Sequence, residues 1–131
     1  MKISEILKSA KKIAIVGLSP DPQKDSNHVG AYLQSVGYEI YPIYPKMDEI
    51  LGRKVYRSIA DLPEKMDIIV MFRKGEFASE IYPQVRENGA GTFWLQLGIK
   101  NESVANLSQK DGQNFVQDRC IMIEHKFNLK D

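Results

Sequence analysis

A strand-like apolar run followed by a helix-like amphipathic stretch recurs along this chain, about every 25–30 residues, and that alternation restricts the fold more than any other feature. The first run, Ile13-Ala14-Ile15-Val16-Gly17, is continuous, mostly β-branched and closed by glycine. It reads as a strand buried on both faces. Further strands are expected near 38–44, 67–72, 91–95 and 113–117. Between them, Val29, Leu33 and Val36 carry helical period and stop at Gly37. Phe77, Ile81 and Val85 do the same before Asn88-Gly89, with Pro83 predicting a kink or a late start. Residues 102–110 form a weaker helix with Val104 and Leu107 inward, and the tail from Asp118 to Asp131 is partly helical. Ile3, Ile6, Leu7 and Ala10 make an N-terminal helix capped by Ser4. Pro42 places the second strand near a sheet edge or a strand end, and Lys54-Val55-Tyr56 is a short strand candidate. Linked βαβ units give an α/β fold: a Rossmann-like, parallel, five-stranded sheet with helices on both faces. The expected order is 3-2-1-4-5, with the flavodoxin-like order as its competitor.

In either order a ligand lies beyond the carboxyl ends of the strands, where the order reverses. The informative residues therefore follow Gly17, Tyr44, Phe72 and Leu95. After Gly17 comes a polar loop to Asn27 that holds Ser19, Pro20, Lys24 and Ser26. Gly17 permits a sharp turn and close backbone approach, and the following helix aims free N–H groups back at the loop. The loop reads as a phosphate cradle or as an N-capped surface loop. It is not a G-x-G-x-x-G fingerprint, because Ser19 and Pro22 stand where glycines are needed. The second strand ends in Tyr44-Pro45-Lys46, with no acidic residue for a ribose diol. A cation such as Lys46 there attracts an extra ribose phosphate. Phe72-Arg73-Lys74 suits a purine ring and a phosphate, or equally a core-closing Phe and two solvated cations. Gln96 can donate and accept at the crevice floor, while Trp94 reads as core.

The catalytic inventory is thin. No two-carboxylate, Ser-His-Asp or metal-ligand constellation stands out. His28 has no nucleophile partner, adjacent Glu124 and His125 would not share a helix face, and Cys120 reads as a structural thiol. A net charge of +1 over 131 residues argues against general nucleic-acid or membrane-surface binding. One cysteine excludes an intramolecular disulfide and a multi-Cys zinc site. The start, Met1 to Lys8, does not read as a signal peptide, no apolar stretch reaches membrane-span length, and a cytoplasmic single domain over 1–131 is expected.

The ordered set Val16-Gly17-Leu18-Ser19-Pro20, Tyr41-Pro42-Ile43-Tyr44-Pro45, Phe72-Arg73, Trp94-Leu95-Gln96-Leu97-Gly98 and Asp118-Arg119-Cys120 resembles the small single-domain coenzyme A-binding proteins. These are similar to the N-terminal CoA-binding domain of the succinyl-CoA synthetase α subunit. The resemblance runs from about Lys12 to His125. It implies a Rossmann-like sheet with coenzyme A across the strand ends. Gly17, Ser19, Pro20, Lys24 and Ser26 would surround the pyrophosphate, and Pro45 and Lys46 would face the adenosine and its 3′-phosphate. Phe72 and Arg73 would lie along the nucleotide, with Gln96 near the pantetheine path. Family members carry Asn-Pro where this chain has Tyr44-Pro45. The functional expectation is a module that binds CoA or an acyl-CoA without a catalytic domain of its own. The alternatives are a small NAD(P)-dependent oxidoreductase and a partner-binding subunit with a vestigial pocket. Association with a second copy or a partner subunit stays open.

Overall fold

The computed structural model describes residues 1–128. Five strands form one parallel sheet: β1 (Lys12–Val16), β2 (Glu39–Ile43), β5 (Ile68–Met71), β6 (Thr92–Leu95) and β7 (Asn114–Val116). A small antiparallel hairpin, β3 (Glu49–Ile50) and β4 (Arg53–Lys54), stands apart. The helices are α1 (Ile3–Ser9), α2 (Asp25–Ser35), α3 (Ala78–Asn88), α4 (Glu102–Asp111) and α5 (Ile121–Asn128). Side chains alternate across each strand, so the sheet builds two cores. Ile13, Ile15, Ile68, Val70 and Trp94 meet Leu7, Leu33 and Ile121 on one face. Ala14, Val16, Ile69, Met71 and Phe93 meet Ile81, Val85 and Val104 on the other. This double burial is why the strands read as unbroken apolar runs.

The α/β class, the parallel five-stranded sheet and its Rossmann-like character stand. The strand filling the third place does not. The five full strands run β2-β1-β5-β6-β7, so residues 68–71 lie beside β1 rather than outside β2. Outside β2 there is only a single parallel bridge between Ile43 and Tyr56. Tyr56 N–H donates to Pro42 O (2.9 Å) and Tyr44 N–H donates to Tyr56 O (3.0 Å). The next rung would need an N–H from Pro42, which has none. Arg53 Nε instead donates to Ile40 O at 2.9 Å. One proline thus reduces a third strand to one residue. Taken in chain order the five full strands therefore run 2-1-3-4-5, the flavodoxin-like competitor, with the Tyr56 bridge as the remnant of an outer strand beyond β2, and the reversal falls between β1 and β5.

Three local expectations need correction. Helix α1 begins at Ile3, with Lys2 at its N-cap and Glu5 accepting from the Lys2 N–H at 3.1 Å, so Ser4 is not the cap. In α4, Val104 is buried but Leu107 is exposed, and Ser108 faces inward one helical turn from Val104. Helix α3 runs through Pro83, so of the expected kink or late start it is the late start that is excluded. Pro83 and Ser79 are both exposed, so the carbonyl that Pro83 leaves unbonded faces water. Part of the tail, residues 129–131, lies outside the described residues. No helix among those described is long and apolar enough to cross a membrane.

Helix α5 closes one face through His125, whose Nδ1 shares a 2.7 Å hydrogen bond with the Tyr32 hydroxyl. Its ring also stands edge-on to Tyr32 and Tyr38. Burial pushes the imidazole below its ordinary value of 6.5. The unfolded chain therefore takes up the proton first, and this group's contribution is lost as pH falls below about 6.5. The melting temperature should drop between pH 7.5 and 5.5, and His125→Gln should show a smaller drop over that interval. Equal drops in both proteins would mean that another group titrates.

Candidate functional site

The carboxyl ends of β1, β2 and β5 are laced together. Gly17 N–H donates to Ile43 O and Phe72 N–H donates to Val16 O, both at 2.9 Å. Gly17 has φ +86°, and a Cβ there would sit 3.1 Å from Phe72 O and 3.5 Å from Arg73 Cγ. Only glycine takes this turn without strain and without pushing the β5 end away. Above these ends opens a cavity of about 450 Å³. Val16, Ile43, Ile59 and Ile81 make its apolar part. Tyr44 and Pro45, Arg57 and Ser58, Phe72 and Arg73, and Gln84 complete it. Two guanidinium groups and no carboxylate stand among these lining residues. Arg73 lies 4.0 Å from the centre of the Phe77 ring, which holds its charge at the rim.

The loop from Leu18 to Lys24 occupies the rim on the other face of the sheet, with Leu18 buried in the α2 core. Gly30 lets α2 sit close, since a Cβ there would lie 3.0 Å from Leu18 Cδ1 and 3.1 Å from Leu51 Cδ1. Ser26 Oγ accepts from Ser19 N–H at 3.0 Å, and Asn27 Nδ2 donates to Ser19 O at 2.9 Å. These bonds turn the loop back over the start of α2. Ser19 Oγ accepts from Asp21 N–H at 3.1 Å. Lys24 is the exposed N-cap of α2, and its carbonyl accepts from the Asn27 and His28 N–H groups. The positive end of the helix dipole and the first-turn N–H groups face the rim beside Gly17.

Of the residues singled out in the sequence, Gly17, Pro45, Phe72 and Arg73 line the cavity. Ser19, Pro20, Lys24 and Ser26 lie on the adjoining loop, where Ser26 is buried and engaged. Lys46 is exposed just past Pro45. Gln96 does not line the cavity: it is buried, and its Oε1 accepts from Ile121 N–H at 3.2 Å, which fixes the start of α5. His28 is exposed, and Cys120 packs half-buried against the α2 core. Trp94 is core, its indole N–H donating to Arg119 O at 2.8 Å. The sequence reading passed over Arg57, Ser58, Ile59, Ile81 and Gln84. A signal for the first three was present, because they directly follow the short Val55-Tyr56 strand.

The loop after β5 is braced against the start of α4. Asn101 caps α4 by accepting from Val104 N–H at 2.9 Å, and its Nδ2 donates to Gly75 O at 2.9 Å. Gly75 is pressed so close to the Lys100 carbonyl that a Cβ would fall 2.1 Å from its oxygen. The main ionic cluster sits at the opposite end of the sheet. Lys12 and Glu64 form an ion pair there. That contact raises the Lys12 ammonium and lowers the Glu64 carboxyl. Tyr41, hydrogen-bonded to Glu39 at 2.7 Å, is raised well above the ordinary phenol value, mainly by burial. Among the described residues no cluster of three or more His, Cys, Asp or Glu could hold a metal.

The family model described as "CoA binding domain" matches residues 11–126. The chain belongs to the CoA-binding domain family. The uncharacterized protein YneT of Bacillus subtilis is 36% identical over 124 residues, covering 95% of this chain and 92% of YneT. An ADP-forming acetate–CoA ligase of Methanocaldococcus jannaschii is 38% identical over 121 residues. That match covers 92% of this chain and only 16% of the ligase. A Pyrococcus horikoshii protein of solved structure superposes with a TM-score of 0.92 at 40% identity, covering 97% of this chain and 89% of that one. A Thermus thermophilus structure gives 0.92 at 33% identity, covering 98% and 99%.

Two glycines with similar backbone angles separate strain from crowding. Gly37 has φ +101° and nothing within 4 Å of an added Cβ. Gly37→Ala should lose about 1–2 kcal/mol of unfolding free energy, the left-handed backbone cost alone. Gly17→Ala should lose more in the same urea titration, because its methyl also meets Phe72 O. Equal losses would show that the close approach at Gly17 is unimportant.

Proposed function

We propose that this chain binds coenzyme A, free or acylated, across the ends of β1, β2 and β5. The observation that carries the reading is the cavity itself, apolar below and lined by two arginines without a carboxylate, in a member of the CoA-binding domain family. An adenine ring suits the apolar part, and phosphates suit the cationic rim and the start of α2. Gly17, Ser19, Pro20, Lys24 and Ser26 would border the pyrophosphate. Pro45, Lys46, Phe72 and Arg73 would border the adenosine side. Gln96, whose amide oxygen is taken by α5, would act on the pantetheine arm only through its NH₂ group.

We read these residues as a ligand-binding unit, matching a region that makes up 16% of the ligase. The groups that line the cavity bind and orient, and none forms a nucleophile–base pair. Isothermal titration should show one site per chain for CoA, with NAD and NADP weaker. Tighter NAD binding, or oxidation of NAD(P)H with a simple carbonyl, would transfer the assignment to an oxidoreductase. Lys24→Ala should weaken CoA and dephospho-CoA alike, by about 1.5–3 kcal/mol, because both carry the pyrophosphate. Unequal losses would remove Lys24 from that group.

A further inference from the structure

We propose that Arg57 is the specificity-determining residue of the cavity, the group that selects a ligand with a phosphate monoester on its ribose. The inference rests on the coenzyme A reading above and assigns one of its contacts. Arg57 follows the residual strand at Tyr56, so it stands at a strand end, and it lines the cavity. Its Nη1 donates to the carbonyls of Tyr44 (3.1 Å), Lys46 (3.1 Å) and Met47 (2.9 Å). Those bonds hold the guanidinium in place before any ligand arrives. They also hold the turn, in which Met47 has φ +69°. The Nε and Nη2 groups have no hydrogen-bond acceptor among the described residues. One carboxylate, Asp48, lies 3.9 Å from Nη2 and is itself fully exposed. Arg57 therefore offers a fixed positive charge with unused donors, facing a cavity whose other cation is Arg73.

Lys46 is the obvious rival, and the geometry favours Arg57. Lys46 is exposed, its side chain makes no hydrogen bond or ion pair among the described residues, and only its backbone carbonyl is engaged, by Arg57 itself. A lysine in that state must order four side-chain torsions to meet a phosphate, whereas the Arg57 fork is already oriented. A planar guanidinium also matches two phosphate oxygens at once.

The test compares adenosine 3′,5′-bisphosphate with adenosine 5′-phosphate, which differ by the one phosphate at issue, in the wild type, Arg57→Gln, Arg57→Lys and Lys46→Ala. The wild type should prefer the bisphosphate by about tenfold or more, the usual worth of a charge-assisted contact. Arg57→Gln should bring that ratio to within about threefold of unity, Arg57→Lys should restore part of it, and Lys46→Ala should leave most of it. Equal weakening of both nucleotides in Arg57→Gln would show that Arg57 only shapes the turn, and would overturn the proposal. Loss of the ratio in Lys46→Ala alone would also overturn it. The melting temperature of each variant reports folding, and Arg57→Lys keeps the question answerable if Arg57→Gln unfolds. Failure of the wild type to bind CoA would defeat the functional reading as well. Retained CoA binding with an unchanged ratio in Arg57→Gln would defeat only the assignment of Arg57.

Discussion

Strand β1 is the element that the rest of the molecule hangs on. It is bonded to β2 on one side and to β5 on the other. Its side chains supply both cores. The chain must therefore pass over the sheet in opposite directions on either side of it, and the two crossovers part at its carboxyl end. Gly17 sits in that parting. The cavity is a product of this topology, because no segment can cover the point from which both crossovers diverge.

The two sides of the parting are chemically different. On the α2 side the backbone supplies the attraction, through a helix start held by Ser19, Ser26 and Asn27. On the α3 side guanidinium charge supplies it, above an apolar floor. A ligand with a polyanionic middle and a ring at one end can satisfy both sides only by lying across the rim. The shifted ionisable groups Lys12, Glu64 and Tyr41 lie at the other end of the strands and brace the sheet where no ligand is expected.

Much of the fold was legible because strand burial leaves a plain mark: apolar runs without alternation, glycine stops and an edge proline. Gly17, Pro45, Phe72 and Arg73 could be placed at the cavity from strand ends alone. Arg57 also follows a strand candidate, but its place at the cavity depends on that strand joining the edge of β2, where Pro42, 14 positions before the bridging Tyr56, leaves it a single rung. Gln96 looked free in the sequence, but its partner is a backbone N–H from a helix 25 residues on. Leu107 was misplaced by a small error of helical phase, since Ser108, not Leu107, shares the inward face with Val104. Each miss involves a partner that lies far away in sequence or a phase that short periodic patterns leave loose.

The two loops that flank the cavity region are held by different means. Beyond β5 the backbone at Gly75 lies close against the Lys100 carbonyl, and the Asn101 side chain ties the two loops. The turn after β2 is pinned at both ends by backbone bonds, Tyr44 N–H to Tyr56 O and Val55 N–H to Asp48 O, and across its crest by the Arg57 side chain. Removing that one side chain would slacken the crest of the turn while both of its ends stay pinned.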